Sequence, residues 1–117
     1  MPARPERQEP DPNAWKTVKI QSFESEHPYL PKTDLKKSYQ VAGAKYLRAK
    51  ISKYELEKNY DFLSVAGRDG VVAQKITGDG SDFTSEYVEG DQINLQFTSD
   101  VNEERWGFVV EELEAIY

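Results

Sequence analysis

An all-β domain, folded as an antiparallel β-sandwich, is what this chain predicts. Apolar residues recur with period two in one short segment after another. Turn signals built from Gly, Pro, Asp and Asn separate those segments roughly every 8–12 residues. Long amphipathic helical patterns are absent.

The segments follow in order. Residues 1–14 carry Pro2, Pro5, Pro10 and Pro12 among charges, which predicts a flexible leader or inter-domain linker ahead of a folded unit at 15–117. Such a linker suits a module of a longer protein. From Trp15 the period changes to two: Val18 and Ile20 alternate with Thr17, Lys19 and Gln21, a half-buried strand. Glu26-His27-Pro28-Tyr29-Leu30-Pro31 reads as a loop, because proline removes ladder donors. Tyr39 and Val41 form a short strand and Ala42-Gly43-Ala44 turns the chain. Leu47, Ala49 and Ile51 alternate with Arg48, Lys50 and Ser52 in a one-sided strand. A charged turn is expected over Tyr54–Asn59 and a strand over Phe62–Ala66.

Arg68-Asp69-Gly70 is a tight hairpin signal, answered by a strand over Val71–Ile76. Gly78-Asp79-Gly80-Ser81-Asp82 reads as a loop and Phe83–Val88 as a strand, with a turn at Glu89-Gly90-Asp91. Ile93, Leu95 and Phe97 share one face of a strand. Gly107–Leu113 is the last strand, with Glu111, Glu112 and Glu114 expected to make it a solvated edge that discourages pairing with other chains. The total is about eight strands.

Composition narrows the function. The chain has 117 residues, 38% hydrophobic and 12% aromatic, enough for a real core. Its net charge of −6 argues against nucleic acid and anionic lipid, which both need a positive footprint, and suits a cation or a basic protein partner. There is no cysteine, so disulfides, thiolate zinc sites and cysteine nucleophiles are excluded. That absence fits both a reducing cytosol and many secreted bacterial proteins. No apolar stretch is long enough for a signal peptide or a membrane span.

Two acidic residues sit at strand ends. Asp100 closes Gln92-Ile93-Asn94-Leu95-Gln96-Phe97-Thr98-Ser99-Asp100, and Asp61 opens Asp61-Phe62-Leu63. Carboxylates at strand ends of one sandwich can converge on a hard cation, which calcium exemplifies with its six to eight oxygen ligands.

At these residues the chain resembles a CUB domain without cysteines. Ser25-Glu26-His27-Pro28-Tyr29-Leu30-Pro31, followed by a strand with Tyr39, is similar to that family's S-P-x-Y-P loop. Tyr54-Glu55-Leu56-Glu57 followed by Tyr60-Asp61-Phe62 is similar to its F-x-L-E and Y-D-x-(V/L) segments. Phe97-Thr98-Ser99-Asp100 followed by Gly107-Phe108 is similar to its closing F-x-S-D and G-F. The likeness runs from Val18 to Leu113. It implies a sandwich of jelly-roll type, a non-catalytic recognition role, and one calcium ion held by Glu57, Asp61 and Asp100. A protein partner would reach those carboxylates with a basic side chain. Two departures stand out: the family's disulfides are missing, and only Lys58-Asn59-Tyr60 separates Glu57 from Asp61.

Other readings of the same residues stay open. Asp61 and Asp100 could cap turns while Glu57 is solvated. Tyr29 and Tyr60 could orient a ligating carboxylate or simply pack. Backbone carbonyls near Val101 or Asn102 could complete an ion's shell. Trp106 and Tyr87 could pack in the core or offer a stacking platform, and the second reading makes a carbohydrate-binding module of a secreted enzyme the alternative function. Catalysis is the weaker alternative: His27 is the sole histidine and no Gly-x-Ser-x-Gly elbow occurs.

Overall fold

A computed structural model describes residues 10–101 and 105–117. Most of the expected leader, residues 1–9, lies outside the described residues, as does Asn102. Among the described residues nine strands form: β1 (Lys16–Glu24), β2 (Asp34–Gln40), β3 (Tyr46–Glu55), β4 (Phe62–Gly67), β5 (Val72–Ile76), β6 (Asp79–Thr84), β7 (Val88–Glu89), β8 (Gln92–Thr98) and β9 (Gly107–Ile116). They make two antiparallel sheets, ordered β1-β9-β3-β6 and β2-β8-β4-β5, with the two-residue β7 pairing β3. With β7 set aside, consecutive strands alternate between the sheets except at the β4–β5 hairpin, a jelly-roll-like connectivity.

The all-β sandwich expected above is therefore the observed fold. Its core is the sum of the period-two faces: Leu47, Ala49 and Ile51 from β3, Leu63 and Val65 from β4, Ile93, Leu95 and Phe97 from β8, and Phe108, Val110, Leu113 and Ala115 from β9. Burying each large member contributes about 1.5–3 kcal/mol. Aromatic rings link the layers. Tyr29 meets Phe97 edge-on at 4.9 Å, Phe97 meets Phe108 at 5.0 Å, and Phe108 meets Phe23 at 5.0 Å.

Several elements differ from expectation. β2 begins at Asp34 and ends before Val41. It is an edge strand, so Lys36, Lys37 and Ser38 can all face solvent, and alternation marks only its second half. β3 runs on to Glu55, shortening the expected turn. The Gly78–Asp82 loop is largely strand: β6 pairs Tyr54 with Gly80 and Glu55 with Asp79. At Gly80 an added Cβ would lie 2.6 Å from the Tyr54 ring, so the aromatic occupies the space that a side chain would take. The chain then leaves the ladder after Thr84 and returns only for Val88 and Glu89.

The largest correction concerns β9, which is interior rather than an edge. It lies between β1 and β3. The glutamates belong to a bulge. Val110 pairs with Ile51 and Glu112 with Lys50, so Glu111 is an extra residue. It switches the inward phase from Phe108 and Val110 to Leu113 and Ala115. Glu112 and Glu114 then face outward, 3.1 Å from Lys19 and 2.7 Å from Arg48.

Gly107 opens β9 at φ +111°, and a Cβ there would sit 1.9 Å from Ser25 Oγ. That hydroxyl is buried, accepts the Phe108 amide at 3.2 Å and donates to the Glu26 carbonyl at 3.0 Å. Gly107→Ala should therefore cost about 2 kcal/mol or more through backbone strain and displaced Ser25. Urea unfolding at constant m-value measures it.

Candidate metal centre

Three loops meet at one end of the sandwich. The β3–β4 turn carries Glu57 and Asp61, the segment after β8 carries Asp100, and the loop before β2 carries Tyr29. The first turn is local chemistry. The Asp61 amide donates to the Glu57 carbonyl at 3.0 Å and the Tyr60 amide to the same oxygen at 3.2 Å. Asn59 takes positive φ, at 70°. Thr77 buttresses the turn, its hydroxyl donating to the Asp61 carbonyl at 2.8 Å and accepting the Asn59 amide at 3.0 Å.

Asp61 is fully buried at 0% exposure. Its Oδ1 accepts the Asp100 amide at 2.8 Å, and its Oδ2 accepts the Tyr29 hydroxyl. The Tyr29 oxygen in turn accepts the Glu57 amide at 3.1 Å. Asp61 thus fastens the Asp100 loop directly and the Glu57 turn through Tyr29. The Asp100 carbonyl accepts the Lys32 amide at 2.9 Å, and the Ser99 amide donates to the Thr33 carbonyl at 3.0 Å, which joins the third loop. Burial, reinforced by the Asp61 carboxylate, pushes the Tyr29 hydroxyl well above its ordinary range. It stays a donor at neutral pH.

One carboxylate oxygen from each of Glu57, Asp61 and Asp100 lies within 4.8 Å of the others. Glu57 Oε1 is shielded from solvent. Repulsion between two such charges at that spacing is about 3 kcal/mol at an effective dielectric of ~20. The donors are oxygen throughout, which suits a hard cation such as calcium over zinc. Both Asp61 oxygens already accept a hydrogen bond, yet a carboxylate has about four lone-pair sites, so each can also face an ion. Asp61 does not cap its own turn as the alternative expected: its side chain fastens two other loops instead.

The two tyrosines part company. Tyr29 is buried, bonded to Asp61 and packed on Phe97, so packing and orientation of the carboxylate are both its work. Tyr60 stands at the rim with 61% exposure.

No family model matches the chain. A human protein, Zinc finger ZZ-type and EF-hand domain-containing protein 1, is 29% identical over 94 residues. The match covers 78% of this chain, which spans about 3% of that relative's length. Among solved structures, the MASP-1 CUB2 domain bound to Ca2+ superposes with a TM-score of 0.62 at 16% identity, covering 82% of this chain and 90% of that one. The fold is CUB-like. The full extracellular region of zebrafish Gpr126/Adgrg6 superposes with a TM-score of 0.69 at 19% identity, covering 89% of this chain and 14% of that one. A CUB-like sandwich thus forms here without any cysteine.

Sequence reasoning missed Thr77, whose place beneath the β3–β4 turn depends on β5 and β6 coming beside it. Both candidate stacking aromatics are packed against neighbouring side chains. Trp106 is half-buried, stacked on His27 at 4.0 Å and facing the Lys53 ammonium at 4.5 Å. His27 Nδ1 donates to the Trp106 carbonyl at 2.6 Å. Tyr87 packs against Tyr46 at 5.5 Å and Trp15 at 6.5 Å.

Tyr29→Phe keeps the ring packing and removes the donor to a buried carboxylate, so it should cost about 1–3 kcal/mol by denaturant unfolding. The raised folded-state pKa also gives a sign. Stability from this group is full below the ordinary tyrosine range near 10 and falls as pH rises beyond it, because the unfolded chain ionises first. Wild-type stability should fall more steeply above pH 10 than that of Tyr29→Phe, in parallel urea melts.

Proposed function

We propose that this chain is a non-catalytic recognition module of a larger protein, in which calcium on Glu57, Asp61 and Asp100 orders a loop surface for a protein partner. The convergence of these three carboxylates within 4.8 Å carries the reading. Support also comes from the fold, shared with a CUB2 domain whose structure is described as bound to Ca2+. The hydrogen-bonded frame of Tyr29, Asp61 and the Asp100 amide fits the role, since it holds two of the acidic groups before any ion arrives. When bound, calcium would neutralise the crowded charge and tie the loops together.

The surface around the carboxylates is suited to contact. Leu30, Tyr60 and Val101 are 55%, 61% and 59% exposed, and each adjoins Tyr29, Asp61 or Asp100 in sequence. An apolar ring around a charged centre excludes water from a salt bridge. A Lys or Arg of the partner, placed in that ring, would pair with the residual negative charge and provide specificity. The glycan alternative has less behind it, because Trp106 and Tyr87 are both engaged with neighbouring side chains.

Millimolar calcium should raise the melting temperature by mass action, since only the folded state presents the assembled oxygens. Asp100→Asn should abolish that shift while the far-ultraviolet circular dichroism stays unchanged. A melt indifferent to calcium would remove the ion from this account.

A second test addresses the partner. Tyr60→Ala should leave the calcium-induced shift intact and weaken partner capture by about tenfold, or ~1.4 kcal/mol, in surface plasmon resonance.

A further inference from the structure

We infer that the opposite end of the sandwich docks an extended basic and apolar segment of a protein, which adds a strand to the free edge of β5. The carboxylate cluster lies where β3 and β8 end and β4 begins. At the other extremity, the β4–β5 hairpin and the residues leading into β7 enclose a cleft of about 950 Å³. Its floor is close-packed: a Cβ on Gly67 would lie 3.3 Å from Val88 Cβ, so the two sheets touch there and diverge above. One wall is β5, the terminal strand of its sheet; the other leads from β6 into β7, along the edge of the facing sheet. Gln74 spans the slot, its side-chain oxygen accepting the Glu86 amide at 2.8 Å.

The free edge is only partly protected, by Lys75 and by a bulge at Ala73 between Val72 and Gln74. Val71 and Val72 are 66% and 47% exposed, and Ala73 beside them is exposed as well. Val71 just before the strand, and Val72 and Ala73 at its start, are uncharged and none is proline, so this stretch is the part of the edge open to pairing. Strand addition supplies main-chain bonds, while every second side chain of the ligand enters the cleft. Charge selects the occupant. Asp69, Glu86 and Glu89 border the cleft, and its guanidinium, Arg68, is committed to Asp91 at 3.4 Å. A second copy of this chain would bring the same carboxylates against one another. A ligand alternating lysine or arginine with valine or isoleucine meets both the acidic rim and the apolar edge.

The test uses the full chain, ¹⁵N-labelled and kept in EDTA so that the cation end plays no part. It is titrated with a blocked decapeptide alternating Lys and Val, and separately with Glu–Val and Lys–Pro decapeptides. The Lys–Val peptide should give saturable amide shifts over residues 67–74 and 86–89, and the other two should not. The Glu86→Lys/Val71→Asp variant alters two exposed side chains. It should keep the wild-type circular dichroism and bind the Lys–Val peptide at least tenfold more weakly. Non-saturable shifts, shifts elsewhere, equal binding of the Glu–Val or Lys–Pro peptide, or an unaffected double variant would overturn the inference. So would sedimentation showing a dimer that Val71→Asp dissolves, which would give the cleft to a second copy.

Discussion

The buried carboxylate of Asp61 is the constraint on which the three-loop end of the sandwich depends. Taking a carboxylate fully out of water costs several kcal/mol unless hydrogen bonds replace the lost solvation. Here the Tyr29 hydroxyl and the Asp100 amide replace it. Because those donors come from two other loops, satisfying one charge fixes the relative position of all three. Glu57 and Asp100 arrive near Asp61 as a result of that fastening, and the crowding of negative charge follows from it. A cation would relieve this crowding without having to assemble the loops from a distance.

The core transmits that constraint. Tyr29 can present its hydroxyl to Asp61 because its ring is seated on Phe97, which contacts Phe108, which contacts Phe23. The chain of rings crosses from one sheet to the other, so the loop geometry is tied to the packing between layers. At the far extremity the same two sheets close over Gly67 and Val88 and then separate. One sandwich thereby presents two unlike ends, one closed by hydrogen bonds around a carboxylate and the other open between two sheet edges.

Much of this was legible residue by residue. Leu47, Ala49 and Ile51, and likewise Ile93, Leu95 and Phe97, alternate because one face of each strand is buried, and both sets proved to be core. Gly70 sits at φ +80° in the hairpin that Arg68-Asp69-Gly70 announced. The grouping of Glu57, Asp61 and Asp100 came from motif resemblance; spacing alone could not bring distant carboxylates together. The misread elements share a physical cause. β2 and β6 lie at sheet edges, where backbone pairing suffices and a strand such as Asp79–Thr84 can carry glycine, serine and aspartate. Period-two reasoning needs a buried face, and these strands have little of one.

β9 shows the opposite situation, a fully interior strand whose pattern looked broken. Glu111 supplies a half-step that lets ten residues keep an apolar side inward along their whole length while the sheet twists beneath them. What matters there is that one residue stands outside the pairing. Were Glu111 to take the ladder place opposite Lys50, Leu113 and Ala115 would turn toward water and Glu112 and Glu114 would enter the interior. Deleting it would instead close the bulge, setting Glu112 directly after Val110 and leaving the same side chains inward. The strand is a vernier: one unpaired residue sets which of its two scales faces the core.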